Sequence, residues 1–204
     1  EDYICNFLAE QSDFIRFNNG KVRQPGNVKQ QSINIQLING SKNVATKTTL
    51  SGDLEADKNR VKDVVEKLRK RLPYLPEDPY FLVSKTPQST EDQSPNKLID
   101  SHEMVDQIID SSNGLDMVGI LASGGIYRGF SNSFGQKNWF GTHNFNLDWS
   151  LVHNADKAVK STYAGSEWNG DAFSQKMDLA KRKLTALQKP AITLKPGDYR
   201  VYLT

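Results

Sequence analysis

The sequence predicts an α+β domain: a mostly antiparallel or mixed sheet with about three helices packed against it. Three observations carry this reading. Apolar and polar residues alternate in Ser32–Leu37 and again from Trp139 to Leu151, the period of a half-buried strand. Apolar residues recur every three or four positions in Leu54–Leu72, Met104–Ile109 and Phe173–Leu187, the period of a helix with one buried stripe. The strand-like segments also come in runs broken by Gly-containing turns, which points to α+β rather than an alternating α/β order.

Taken in order, residues 3–50 read as a β meander. Phe14 and Phe17 alternate less cleanly because Arg16 interrupts them, and Asn18-Asn19-Gly20 is a turn signal. Ser32–Leu37 follows, then Asn39-Gly40 as a second turn and Val44–Leu50 as a further strand. Asp53 caps a helix whose stripe is Leu54, Val61, Val64, Val65, Leu68 and Leu72, and Pro73 ends it. Residues 73–97 hold five prolines among Ser, Thr, Gln and Asp, and their second half reads as a mobile linker or long loop. Ser101 is the expected cap of a shorter helix with Met104, Val105, Ile108 and Ile109 on one face.

Leu115–Ala122 is an apolar strand, Gly124-Gly125 a turn, Ile126–Asn132 the return, and residues 133–136 a second turn. From Trp139 the odd positions are Trp139, Gly141, His143, Phe145, Leu147, Trp149 and Leu151, whereas Asn144, Asn146, Asp148 and Ser150 make a polar face. Ala158–Gly165 is the next strand. Asn169 or Asp171 starts a helix with Phe173, Met177, Ala180, Leu184 and Leu187 inside, and Asp198–Leu203 reads as a final amphipathic strand.

Composition narrows the function classes without naming one. The 204 residues suffice for one generous domain or two small ones, and a mean hydropathy of −0.61 is that of a polar globular chain. Basic residues number 26 and acidic ones 24, a balance that argues against nucleic acid or an anionic membrane as the main partner. No stretch approaches the roughly 18 consecutive apolar residues of a membrane span, and EDYICNFLAE lacks the features of a signal peptide. Cys5 is the sole cysteine, so no internal disulfide forms, which suits a reducing compartment.

Familiar catalytic signatures are incomplete. His102-Glu103 opens like H-E-x-x-H, but Asp106 stands where the second histidine belongs. Gly129-Phe130-Ser131-Asn132-Ser133 lacks the last glycine of a nucleophile elbow. Gly124 and Gly129 have phosphate-loop spacing, but Phe130-Ser131 replaces Lys-Ser/Thr. The runs Lys67–Arg71 and Lys181–Lys183 lie late in their helices, where cations complement the helix dipole. Trp139, Phe145, Trp149 and Tyr163 offer stacking surfaces, but period-two placement favours sheet core for the first three.

The block 119–168 carries more specific information. Arg128-Gly129-Phe130 runs into Asn132-Ser133, Gly135-Gln136, Asp148-Trp149-Ser150 and Asp156-Lys157-Ala158-Val159, then Tyr163-Ala164-Gly165. With the opening Glu10–Asn18 and Lys21–Gln24 and the ending Pro196–Leu203, this pattern resembles the N-terminal half of the TldD/PmbA family, once called modulators of DNA gyrase. The resemblance implies a cytoplasmic, dimeric metallopeptidase system acting on unfolded peptides. In that family TldD-type subunits carry zinc on an H-E-x-x-x-H helix plus a later cysteine, downstream of the P-G-x-Y-R segment, and PmbA (TldE-type) partners lack those ligands. No H-E-x-x-x-H occurs here. The expectation is therefore that residues 1–204 form the N-terminal domain, with a possible subdivision at 73–97, and that the catalytic C-terminal domain is absent. Zinc is expected only in that missing region or in a partner subunit, with no cofactor in this chain. Expected partners are a TldD/PmbA-like subunit, as homo- or heterodimer, and an unfolded peptide, without nucleic acid or membrane. Whether the parent is TldD-type or PmbA-type stays open.

The function expected is a non-catalytic domain that shapes the substrate cleft and contributes to assembly; the alternative is a stand-alone binding or scaffold protein without protease activity. No residue is assigned to catalysis or metal binding. Arg128, Asn132, Asn144, Asn146 and Asp148 are the candidate exposed surface for substrate or interface, against the competing reading of an ordinary solvated sheet face.

Overall fold

A computed structural model describes every residue except Ala155 and Thr204. Seven strands, β1 (Asp2–Asn18), β2 (Lys21–Asn39), β3 (Lys42–Leu50), β4 (Thr90–Gln93), β5 (Asp116–Asn132), β6 (Lys137–His153) and β7 (Lys157–Gly165), make one sheet. Three helices accompany it: α1 (Leu54–Arg71), α2 (Ser101–Ser111) and α3 (Gly170–Leu187). Strand order is β3-β2-β1-β5-β6-β4, with β7 also on β6. Every pairing is antiparallel except that of β4 with β6. The α+β reading holds.

Register explains why the helices share one face. Ile15 lies opposite Leu121, Leu121 opposite Leu147, and Leu147 opposite Tyr163, so these four side chains point the same way. The pairs Cys5–Ile35 and Leu37–Val44 extend that face to β2 and β3. Both buried clusters use it. Helix α1 sets Leu68 on Ile35, Leu37 and Val44, while α2 and α3 place Met104, Ile108, Phe173 and Met177 over Leu121, Phe145, Leu147 and Trp149. No even-numbered residue of β1, β5 or β6 joins either cluster. The opposite face is open, and it exposes apolar groups such as Leu8 (41%) and Phe140 (40%).

Local chemistry agrees with several sequence readings. Asp53 caps α1 by accepting from the Ala56 N–H at 2.8 Å, and Arg69, Lys70 and Arg71 occupy its last turn. Asn19 (φ 50°) and Gly20 (φ 64°) both take positive φ, as a two-residue type I′ hairpin requires. Phe145, Trp149 and Tyr163 are buried, whereas Trp139 is only half-buried, its Nε1 donating to Gln93 Oε1 at 2.7 Å.

Four expectations are corrected. Gly124-Gly125 is not a turn: β5 runs straight through it. A Cβ on Gly124 would strike the Gln11 backbone of β1, and one on Gly125 would sit 2.7 Å from Tyr127 Oη, so these glycines mark close packing inside a strand. Asp100, not Ser101, caps α2, accepting from the His102 N–H at 2.8 Å. The second half of residues 73–97 is not all loop, since β4 lies within it. Asp198–Leu203 forms no strand; its side chains are exposed and find no sheet edge among the described residues.

Candidate functional site on the open face

The sequence-predicted residues reach the open face by strand alternation. Asn144, Asn146 and Asp148 on β6 point away from Phe145, Leu147 and Trp149, and Arg128 on β5 lies across from Phe140 on that side. Asn144, Asn146 and Arg128 are exposed, and Asp148 is half-buried. Asn132 is a correction. It is only 6% exposed, and its Oδ1 accepts from the N–H groups of Phe134 (3.1 Å) and Gln136 (3.0 Å), fixing the β5–β6 turn. Its role there is local structure.

Asp148 is the best-defined member of the set. Asn146 Nδ2 donates to its Oδ2 at 2.9 Å, Thr162 adds a second hydrogen bond, and the Lys160 ammonium is nearby. These hold its carboxyl below the ordinary aspartate range, against a small opposing effect of burial. Asp148 is therefore a fixed anion at neutral pH.

Three residues not singled out by sequence complete a pocket around it. A concavity of about 390 Å³ is lined by Arg16, Arg23, Val118, Ile120, Asp148 and Lys160, among others. Arg16 on β1 lies opposite Ile120 on β5, which lies opposite Asp148 on β6. Arg23 reaches the pocket because of a bulge: Arg16 pairs with Gln24 and Phe17 with Val22, leaving Arg23 as the extra residue of β2. The one sequence signal was Arg16 itself, a charge interrupting the alternation of Phe14 and Phe17.

A second concavity, of about 470 Å³, lies on the helix-bearing face and includes Asp13, Asp100, Tyr127 and His143. Tyr127 Oη and His143 Nε2 are 3.1 Å apart. The acids here already serve the fold: Asp13 accepts from Asn27 Nδ2 (2.8 Å) and Ser101 Oγ (2.7 Å), and Asp100 caps α2. Among the described residues no three His, Cys, Asp or Glu side chains gather as a metal cage, and the His102 ring pairs with its neighbour Asp100, at 3.1 Å.

A long-stranded, almost wholly antiparallel sheet with helices on one face defines the class of fold. The chain shares it with TldE from Thermococcus kodakarensis (TM-score 0.64, 12% identity), the match covering 91% of this chain and 44% of that one. It is similar also to a proposed modulator of a DNA gyrase from Thermotoga maritima (TM-score 0.65, 12% identity, 90% of this chain and 44% of that). A proposed modulator of DNA gyrase from Bacteroides thetaiotaomicron is a third (TM-score 0.59, 8% identity, 90% and 46%). No family model matches the sequence, and no curated protein sequence matches it. The chain thus spans less than half the length of the structures whose fold it shares, and that fold is the one the sequence resemblance implied. Among the described residues no helix is long and apolar enough to cross a membrane.

Proposed function

We propose that this chain is the non-catalytic N-terminal domain of a TldD/PmbA-type zinc-dependent peptidase system, and that it shapes the cleft for unfolded peptides and contributes to assembly with a TldD/PmbA-like subunit. The supporting observation is the fold match along about nine-tenths of the chain to TldE and to two proposed gyrase modulators. The open sheet face fits a peptide-guiding role, since it sets the apolar Val118, Ile120, Ala122 and Ile126 of β5 beside Asn144, Asn146 and Asp148 of β6. In this reading zinc belongs to a region outside the chain or to a partner subunit, and the system is cytoplasmic.

The test is hydrolysis of unfolded casein. Peptide hydrolysis needs an activated water or nucleophile together with oxyanion stabilisation, and nothing described here supplies that set. The 204-residue chain alone should leave casein intact, with or without added zinc, and cleavage should appear when a zinc-bearing TldD-type region or subunit is supplied. Chelator-sensitive turnover that stays with the purified chain through two columns would overturn the reading.

A further inference from the structure

The geometry points to the Arg16–Arg23–Lys160 pocket as a binding site for a peptide carboxylate, the free C-terminus of an extended chain being the group it fits best. This inference rests on the peptide-handling reading above and adds the ligand chemistry and the residues.

The pocket holds three cations and one carboxylate, so two positive charges are in excess. None of the three cations takes part in an ion pair or a side-chain hydrogen bond among the described residues, although Lys160 feels the Asp148 charge at longer range. Arg16 and Arg23 come from adjacent strands, and the bulge brings the second to the pocket of the first. Guanidinium groups bind carboxylates in bidentate fashion, so a pair of unengaged arginines is a ready acceptor for one.

Asp148 stands two strands from Arg16, about 10 Å away at the usual strand spacing. That span fits a terminal residue whose carboxylate meets the arginines while a backbone N–H donates to Asp148. Val118 and Ile120 lie between them and give the residue an aliphatic floor. Nucleic acid fits less well. A phosphodiester backbone offers no N–H to Asp148, and the floor has no stacking ring, since Phe17 (3% exposed) and Trp149 (2%) are packed in the core.

The experiment is fluorescence anisotropy with the 204-residue chain and a labelled octapeptide ending in leucine, made as the free acid, as the C-terminal amide, and as the amide with an internal glutamate. The free acid should bind at least tenfold more tightly than the amide. The double variant Arg16→Gln/Arg23→Gln should lose at least tenfold in affinity for the free acid, while Arg182→Gln/Lys183→Gln, an equal charge change on the exposed side of α3, leaves it unchanged. Circular dichroism verifies that the variants fold, and the acid–amide comparison on the unaltered chain needs no variant. Recovery of affinity by the internal glutamate would keep the carboxylate site and assign its ligand to side chains. Equal binding of acid and amide, or displacement by an equal concentration of single-stranded DNA, removes the site but leaves peptide handling in place. No binding of any of the three peptides removes both.

Discussion

Truncating Trp149 to alanine tests the face assignment on which the site depends. Trp149 is 2% exposed, meets Phe173 edge-on at 5.9 Å between ring centres, and lies in the layer of Leu147 and Leu151. Removing a buried side chain of that size generally costs about 3–5 kcal/mol. One feature lowers the figure: the buried indole Nε1 finds no acceptor among the described residues. An unpaired buried donor carries a penalty of about 1–3 kcal/mol, which truncation abolishes, so the net loss should be about 2 kcal/mol. Trp149→Phe keeps a ring and drops the orphan donor, and should stay within about 1 kcal/mol of the parent. Asp148→Ala, on the other face, surrenders only solvent-side hydrogen bonds to Asn146 and Thr162 and should cost about 1 kcal/mol or less. With a slope of about 2 kcal/mol/M, the urea midpoint of Trp149→Ala falls by about 1 M and that of Asp148→Ala by about 0.5 M at most. Equal shifts for those two variants would refute the assignment of faces. A Trp149→Phe midpoint as low as that of Trp149→Ala would refute the claim that the indole N–H is unsatisfied.

Further expectations concern acid, thiol and metal. Asp57 accepts from the N–H groups of Ser51 (2.8 Å) and Gly52 (2.9 Å) and from Ser51 Oγ (2.9 Å), and the Ser51 backbone bond is the main reason its carboxyl titrates below the usual range. A depressed folded-state pKa gives stability that is present above the unfolded value and lost as pH falls through the folded one, so the thermal midpoint should drop below about pH 4. Asp57→Asn should lower the midpoint at pH 7 and weaken that acid-side slope; an unchanged slope would contradict the linkage. Burial pushes the Cys5 thiol up, so its reaction with Ellman's reagent at pH 7 should be at least tenfold slower in the native chain than in urea, and equal rates would argue against it. His102 lies on α2 while His143 and His153 are ten residues apart on β6, about 33 Å along the strand. Elemental analysis after dialysis should accordingly find far less than one zinc per chain, and a stoichiometric, dialysis-resistant zinc would be the contrary result.

Periodicity made most of the sheet core legible. Phe145, Leu147, Trp149 and Leu151 could be placed inside from β6 alone, because a strand with one polar face leaves no ambiguity about direction. β5 was harder, since Val118, Ile120 and Ile126 lie on the open face and blur the alternation with Met117 and Leu121. Glycine was read as a turn at Gly124-Gly125 when the cause was tertiary, the closeness of β1 and of the Tyr127–His143 pair. The pocket was half legible. Asp148 stood out as a polar-face residue, but Arg23 is brought to it by a bulge and Lys160 by the pairing of β6 with β7, which depend on register rather than on local sequence.

The strand order has a kinetic consequence. β1, β2, β3 and α1 are contiguous in sequence, as are β5, β6, β7 and α3, so each half closes through short connections. The two halves meet in a single ladder, β1 against β5, whose partners run from Phe17–Gly119 to Ile4–Asn132, more than a hundred residues apart. Closing a loop of that length carries an entropy term of about 4 kcal/mol, whereas hairpins need little and form within about 10 microseconds. The middle of the sheet is therefore the last part to assemble. Hydrogen exchange should show it as one cooperative unit, with the amides that β1 and β5 share losing protection together while those inside each half stay closed.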